Sequence, residues 1–212
     1  MLIFAGIDAT VPQYQMKPAI YLQLLLLLPL SIVLSSCQTD YANLPTYTPT
    51  KQLQAVIETP AGSAHKLIYS QENKDFVADK EAGRDRVISF LPFPANFGFI
   101  PSTQTNSTGK GIEIVVISER AEPGTVMEVI PVGVLQLETA GDLEHIIIAI
   151  PARPSEQLIT TSDYTSFSRQ YPAIKEILQQ WFMHHNATAK TRFIGWRDEK
   201  FADQEIQRWM KL

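Results

Sequence analysis

The chain has 212 residues, and 18 Lys and Arg against 22 Asp and Glu residues give it a formal net charge of −4. This mild negative charge provides no basic surface for nucleic acid, so we expect no nucleic-acid partner. The single cysteine excludes a disulfide within the chain.

The first 36 residues have the pattern of a secretory signal peptide. The apolar run YLQLLLLLPLSIVLSSC contains no charged residue, follows Lys17 and ends in small residues. This pattern is typical of a cleaved signal rather than of a membrane-spanning helix. Residues 1–15 contain neither Lys nor Arg, so we expect translation to begin at Met16, next to Lys17.

The signal region ends at Cys37, within Leu34-Ser35-Ser36-Cys37. These four residues resemble the bacterial lipobox, which implies cleavage before Cys37 and lipidation of its thiol. We therefore expect a membrane-anchored lipoprotein of the bacterial cell envelope, with the lipid membrane as a partner. The protein would be cytoplasmic only if the signal is not used. The alternative is a free, buried cysteine after a membrane-like segment.

Residues 37–52 are predicted to be the lipidated cysteine followed by a flexible tether. The stretch QTDYANLPTYTPTK is rich in Thr, Pro and Asn and has no hydrophobic period. Such a composition buries too little apolar surface to offset the entropy of the chain.

Residues 53–212 are predicted to form one domain that is mainly β. Short apolar runs separated by turn residues are typical of strands. Their density favours a small β-barrel. The predicted strands are 53–58, 65–70, 85–90, 112–118, 125–137, 145–150 and 191–196.

The C-terminal part of the chain changes to a helical period. Five apolar residues between Ala173 and Phe182 recur at i, i+3, i+4, i+7 and i+8, which places them on one face of a helix; they are Ile174, Ile177, Leu178, Trp181 and Phe182. A last helix is predicted to begin at Asp198 as N-cap, with Ala202, Ile206 and Trp209 facing inward. The two helices are expected to pack outside the barrel.

Several phrases of the domain resemble the soluble inorganic pyrophosphatases. The strongest is DRVISFLPFPANFGFIPST at 85–103, and others follow in the family's order: VIETPAGSAHK, GTVMEVIPVGVLQL, HIIIAIP and FIGW. The resemblance implies an α+β domain built on an OB-like five-stranded barrel with flanking helices. It also implies diphosphate as substrate and assembly into homo-oligomers.

In this family several Mg²⁺ ions are held by carboxylates, bridge the diphosphate oxygens and activate a water. Glu58 falls at the family's first-strand glutamate, while Lys66 and Arg86 fall at phosphate-binding positions. The resemblance therefore implies Glu58, Lys66 and Arg86 as catalytic residues, and Glu58, Glu113 and Glu144 as the remaining metal ligands. The alternative for each is a charged residue that simply faces solvent.

Much of the family's site is replaced in this chain. A glutamate becomes Ile68, two tyrosines become Phe93 and Phe97, and a Tyr-Lys pair becomes His185 and Asn186. The carboxylates suffer most, because two aspartates of the central loop become Thr108 and Lys110. A third aspartate of that loop becomes Glu113. On the neighbouring strand, an aspartate becomes Thr139, another becomes Glu144, and a lysine becomes Ile146; all of these replacements are read from the sequence.

These replacements lead to a prediction with two alternatives. We expect an envelope lipoprotein of the family whose diphosphatase activity is lost or strongly reduced. The first alternative is an active diphosphatase that uses Mg²⁺. The second is a module that binds phosphate or diphosphate without metal, through Lys66, Arg86 and Lys110.

Overall fold

The computed structural model of the chain describes residues 38–105, 110–186 and 188–211. The predicted signal peptide, the predicted lipidation site Cys37 and the replaced position Thr108 lie outside these residues. Thr39–Leu212 forms a compact unit, which is described below. No helix within the described ranges is both long and apolar enough to cross a membrane.

Five strands form a closed ring, as expected for an OB-like barrel, and a sixth lies beside it. In chain order they are β1 Leu53–Thr59, β6 Asn96–Ile100, β7 Ile112–Val116, β8 Val126–Thr139, β9 Asp142–Pro151 and, outside the ring, β10 Thr191–Arg197. The ring runs β1-β6-β7-β9-β8 and closes because β8 also pairs with β1, while β10 adds to the outer side of β8. All pairings in the ring are antiparallel except that of β7 with β9, which is parallel.

Four short strands form two small hairpins outside the ring. They are β2 Leu67–Ser70 with β3 Asp75–Ala78, and β4 Lys80–Glu81 with β5 Arg84–Asp85. These hairpins occupy the chain between β1 and β6, the stretch that carries Lys66 and Arg86.

Strand β8 closes the ring because it is long and bent. Its first part pairs with β1 over Val126–Val129, and its last part pairs with β10 over Val134–Thr139. The register with β9 shifts between Pro131 and Gly133. Such an irregularity bends a strand and accommodates a proline that cannot donate a hydrogen bond.

Two apolar cores lie on opposite faces of the sheet. Strand side chains alternate between faces, so the continuous run Ile146–Ile150 supplies both cores. Ile146, Ile148 and Ile150 belong to one cluster, and Ile147 and Ala149 belong to the other. The apolar run therefore reflects a strand that is buried on both faces.

In the described part of the chain, three helices pack on the ring: α1 Tyr164–Gln170, α2 Pro172–His184 and α3 Glu199–Trp209. The sequence predicted α2 and α3, and α1 was missed. Asp163 caps α1 by accepting from Ser166 N at 2.8 Å, and Asp198 caps α3 by accepting from Phe201 N at 3.0 Å, as predicted.

The apolar faces of the two predicted helices are mostly confirmed. Leu178, Trp181 and Phe182 are buried in the first core, where Ile174 packs beside them, and α3 buries Ala202 and Ile206 in the second core. Ile177 is an exception, since 57% of it is exposed. Its prediction as a core residue was wrong because the buried stripe of α2 is narrower than the periodicity indicated.

The strand predicted at 85–90 is also wrong. Arg84–Asp85 pairs in a short hairpin and Val87 forms an isolated bridge with His65, while Val87, Phe90 and Leu91 are exposed. The prolines at 92 and 94 have no amide hydrogen to donate to a sheet, so the ring strand begins after them, at Asn96.

The predicted flexible tether is corrected over residues 41–52, which pack against the domain. Ala42 and Thr46 are buried. Thr46 Oγ1 donates to Pro101 O at 2.9 Å, and Ser102 N donates to Ala42 O at 2.9 Å. Composition missed this packing because it cannot show that Tyr41 packs against Tyr69 and Phe76, or that Tyr47 packs against the second core.

Candidate functional site

A cavity of about 160 Å³, the central cleft, brings together many of the predicted site residues. Lys66 and Arg86 line it from the hairpin region, Glu113 from β7 and Glu144 from β9. The replaced positions around it are Phe93, Phe97, Thr139, Ile146, His185 and Asn186.

A smaller neighbouring cavity of about 60 Å³, the side cavity, holds the remaining predicted residues that the structure describes. It is lined by Glu58, Ile68 and Lys110. It shares Lys66, Phe97 and Glu113 with the central cleft. The structure therefore places all of these residues around one region of the domain.

The two cations of the central cleft are held side by side by the backbone. Lys66 N donates to Arg86 O at 3.2 Å. The backbone of Asp79 joins the same two residues, because its O accepts from Arg86 N at 2.7 Å and its N donates to Lys66 O at 2.9 Å. The ammonium of Lys66 lies 5.0 Å from the centroid of the Phe97 ring. A cation over an aromatic face is favourable, so Phe97 supports Lys66 without a hydroxyl group.

Arg86 also contacts the carboxylate of Asp79, with 3.5 Å between Nη1 and Oδ2. Both side chains are less than one-fifth exposed. The negative charge of Asp79 partly offsets the positive charge of Arg86, and the contact orients the guanidinium.

Glu58 has an unusual environment for a carboxylate. Its Oε1 accepts a hydrogen bond from Tyr69 N at 2.7 Å. The residue keeps some surface exposure, but protein atoms surround its carboxylate, and this burial raises the pKa of Glu58 to about 7. The bond from Tyr69 N and the charge of Lys66 oppose that shift. The carboxyl group of Glu58 is therefore about half protonated near neutral pH.

His185 also has a pKa that favours its neutral form. Burial, with the positive charges of Arg86 and Lys66, lowers the pKa of His185 to about 4. Its ring stacks on Trp181 with centroids 4.4 Å apart. Because Nδ1 lies 3.0 Å from Phe182 O, which only accepts, the neutral ring carries its hydrogen on Nδ1 and leaves Nε2 as an acceptor.

The three predicted metal ligands interact but do not form a ligand cluster. Glu113 is near enough to raise the pKa of Glu144, after the larger effect of burial, and it also raises that of Glu58. One oxygen of Glu144 accepts from the hydroxyl of Thr139 at 3.2 Å. Among the described residues, no group of three or more His, Cys, Asp or Glu side chains is placed to hold a metal ion.

Residues 106–109 cannot complete a carboxylate set, because they are Asn, Ser, Thr and Gly. Mg²⁺ requires near-octahedral oxygen ligands at short distances. Because no three such ligands are grouped in the described part of the chain, these residues do not fit a magnesium centre.

Sequence reasoning missed several residues around the site. Asp79 orients Arg86, and Lys211 adds a further cation to the side cavity. The stack of His185 on Trp181 could have been found, because residues four apart on a helix are neighbours. Lys211 gave no signal, since its contact depends on how the end of the chain folds back.

A comparison with protein families finds one matching family model, described as inorganic pyrophosphatase, over residues 55–212. Among curated proteins, the inorganic pyrophosphatase of Mesorhizobium japonicum is 28% identical over 166 residues, covering 74% of this chain and 88% of that protein. The inorganic pyrophosphatase of Aquifex pyrophilus is 29% identical over 172 residues, covering 77% and 90%.

Solved structures give the same fold. The inorganic pyrophosphatase of Thermus thermophilus superposes with a TM-score of 0.68 at 24% identity, covering 81% of this chain and 97% of that one. The type I inorganic pyrophosphatase of P. falciparum gives a TM-score of 0.70 at 17% identity, covering 81% and 61%. At these identities the superpositions establish the architecture.

Proposed function

Because the chain belongs to the inorganic pyrophosphatase family, we propose that its central cleft binds a small phosphate anion and that its diphosphatase activity is lost or strongly reduced. One observation carries this proposal. Lys66 and Arg86 lie together in the cleft, whereas the described carboxylates form no group of three that could hold a metal.

Binding and hydrolysis make different demands on such a site. Arginine and lysine are well suited to phosphate oxygens, and Arg86 is oriented by Asp79. Hydrolysis requires an anionic nucleophile to approach an anionic substrate, which depends on concentrated positive charge at the reacting atoms. Lys66 and Arg86 suffice to bind the anion, but they replace only a fraction of the charge that several divalent ions would supply.

Calorimetry of the full-length protein with diphosphate in EDTA tests the binding. We expect measurable affinity that falls about tenfold or more in Arg86→Ala, since a charge-assisted pair is worth roughly 1.5–3 kcal/mol. Arg84→Ala is the matched control, because Arg84 is exposed and lines neither the central cleft nor the side cavity. A lower diphosphate affinity in Lys110→Ala would show that the side cavity contributes to binding. Absence of binding, or equal affinity in Arg86→Ala and Arg84→Ala, contradicts the proposal.

An active enzyme is the second candidate. It is favoured by the names of the relatives and by the electrostatic contact of Glu113 with both Glu58 and Glu144. We expect no release of phosphate from diphosphate with Mg²⁺, Mn²⁺ or Zn²⁺. Robust turnover that Arg86→Ala abolishes would establish the active enzyme instead.

The cellular role proposed for the chain is that of an envelope lipoprotein. It is supported by the apolar run and by the sequence Leu34-Ser35-Ser36-Cys37. Cys37→Ser should abolish labelling with palmitate and release the protein from the membrane fraction. Unchanged labelling would refute lipidation at this residue. Assembly into homo-oligomers stays a prediction.

A further inference from the structure

A third cavity, of about 280 Å³, lies beside the central cleft and is larger than it. We call it the Trp209 pocket, after the residue of α3 that lines it together with Leu143 of β9 and Ile112 of β7. Inorganic phosphate or diphosphate bound at Lys66 and Arg86 would leave this pocket unused.

The Trp209 pocket adjoins the central cleft through two carboxylates. Glu113 and Glu144 line both cavities. A ligand that extends from the cations of the cleft into the pocket therefore passes these two side chains. Ionised carboxylates only accept hydrogen bonds, so they favour a ligand that carries hydroxyl donors at this point.

The far wall of the pocket is fixed by a chain of hydrogen bonds whose directions are determined. Arg197 Nε can only donate, and it lies 3.0 Å from Gln136 Oε1. The amide nitrogen of Gln136 therefore donates to His145 Nε2 at 2.9 Å. This leaves His145 Nδ1 to donate to Glu205 Oε2, also at 2.9 Å.

Glu205 in turn holds the tryptophan. The indole Nε1 of Trp209 donates to Glu205 Oε2 at 3.2 Å, and Glu205 is buried, with 7% of its surface exposed. The polar edge of the indole is engaged with Glu205, and the guanidinium of Arg208, which also lines the pocket, lies 5.1 Å from the centroid of the ring. Leu143 adds apolar surface that is 53% exposed to solvent.

From these features we propose that the site takes a nucleoside phosphate rather than inorganic diphosphate alone, an inference that rests on the proposed anion binding. The phosphates lie at Lys66 and Arg86, and the sugar hydroxyls donate to Glu113 and Glu144. The base packs against Trp209 and the guanidinium of Arg208 that lies over it. A purely apolar tail fits poorly, because it would remove water from the two carboxylates without replacing their hydrogen bonds. A flat base matches an aromatic wall.

Calorimetry in EDTA with the full-length protein compares inorganic diphosphate, ADP and adenosine. We expect ADP to bind about tenfold more tightly than diphosphate, the gain typical of one stacked base. Without the pocket, ADP would bind no more tightly, since esterification removes one ionisable phosphate oxygen. Adenosine alone should bind weakly.

Two variants test whether the gain in ADP affinity comes from the Trp209 pocket. Trp209→Leu and Leu143→Ser should each lower the ratio of ADP affinity to diphosphate affinity, and circular dichroism checks that α3 still folds in Trp209→Leu. Leu158→Ser is the matched control, because Leu158 is 55% exposed and lines none of the three cavities.

The outcomes separate this inference from the proposed function. Binding of diphosphate with no advantage for ADP overturns the nucleoside phosphate and leaves anion binding intact. An advantage that persists in both pocket variants also overturns it, because the base would then lie elsewhere. If neither ligand binds, both proposals fail.

Discussion

Two titratable side chains, Glu58 and His185, border the two cavities that share Lys66, and both are neutral over part of the pH range. Their pKa values are about 7 and about 4. Between these values the glutamate is mostly protonated and the imidazole mostly unprotonated. In slightly acidic solution the central cleft therefore keeps the charges of Lys66 and Arg86, while the neighbouring side cavity loses that of Glu58.

The first prediction concerns stability and follows from Glu58. Its pKa is higher in the folded protein than in the unfolded chain, so between about pH 4.5 and pH 7 the folded state binds more protons. The stability that protonated Glu58 contributes should be fully present below that window. The free energy of unfolding should then fall as pH rises through the window, by on the order of 2–3 kcal/mol. Urea unfolding at pH 5 and pH 8 should show this loss, and Glu58→Gln should reduce it.

Glu122→Gln is the control for this experiment, because the Glu122 side chain is 75% exposed. Mg²⁺ adds a second comparison. If Glu58 ligated the ion, bound metal would favour the carboxylate and abolish the fall in stability. We expect the pH dependence to be the same with and without Mg²⁺.

The second prediction concerns His185 and reports directly on anion binding. The positive charges of Arg86 and Lys66 help to lower its pKa, so a bound diphosphate that offsets them should raise it. NMR titration of the ring should show a higher pKa with diphosphate than without. His184, which is exposed and lines none of the three cavities, is an internal control. An unchanged His185 titration at saturating diphosphate would place the anion elsewhere.

Among the secondary-structure elements, the close contact of β1 and β6 depends on a glycine. A Cβ added at Gly98 would lie 1.9 Å from Val56 O, which only a separation of the two strands can relieve. At Gly195 of β10, the nearest atom to an added Cβ, Gln136 Oε1, is 4.0 Å away.

The third prediction compares these two glycines. Gly98→Ala should lower the free energy of unfolding by about 3 kcal/mol or more, because backbone must move. Gly195→Ala should stay within about 1 kcal/mol of the parent protein. Equal losses in denaturant unfolding would contradict the close approach of β1 and β6.

The sequence predicted those elements whose pattern reports burial directly. The run Ile146–Ile150 marked β9 because a short continuous apolar run is typical of a strand buried on both faces, and the stripe containing Trp181 marked α2 because it repeats with the period of a helix. The strand predicted at 85–90 failed because two of its apolar residues, Val87 and Phe90, are exposed, and because the prolines at 92 and 94 have no amide hydrogen for a sheet. Ring strand β6 lies further along the same stretch, at Asn96–Ile100, and was not predicted.

The candidate site could be predicted as a set of positions but not as a geometry. Matching phrases to a family brought Lys66, Arg86 and His185 to one place. They could not reveal that Glu58 is held near neutrality or that Asp79 orients Arg86, because both depend on packing between distant segments. The Trp209 pocket was equally hidden, since it forms only when α3 lies against β9.

For the molecule as a whole, the segment before β1 is part of the folded domain. Three hydrogen bonds attach it to the turn after β6, the third from Ser102 Oγ to Leu44 O at 2.7 Å. The predicted domain boundary at residue 53 therefore cuts through packed structure.

The fourth prediction tests this attachment. A chain that begins at Lys51 should be less stable than one that begins at Gln38, by on the order of 3 kcal/mol, because three buried or partly buried hydrogen bonds are lost. Thermal unfolding of the two truncated proteins measures the difference. Equal midpoints would mean that residues 38–50 contribute nothing to the fold.

The same attachment sets the height of the domain above a bilayer, on the proposal that Cys37 carries the lipid. Thr39 O already accepts a hydrogen bond from Tyr69 Oη at 3.2 Å, and the next residue, Asp40, lies 3.6 Å from the ammonium of Lys74. Two residues of extended chain span only about 7 Å, roughly the depth of the headgroup layer. The domain would then rest on the membrane surface and rotate little, instead of exploring the surrounding space on a long linker.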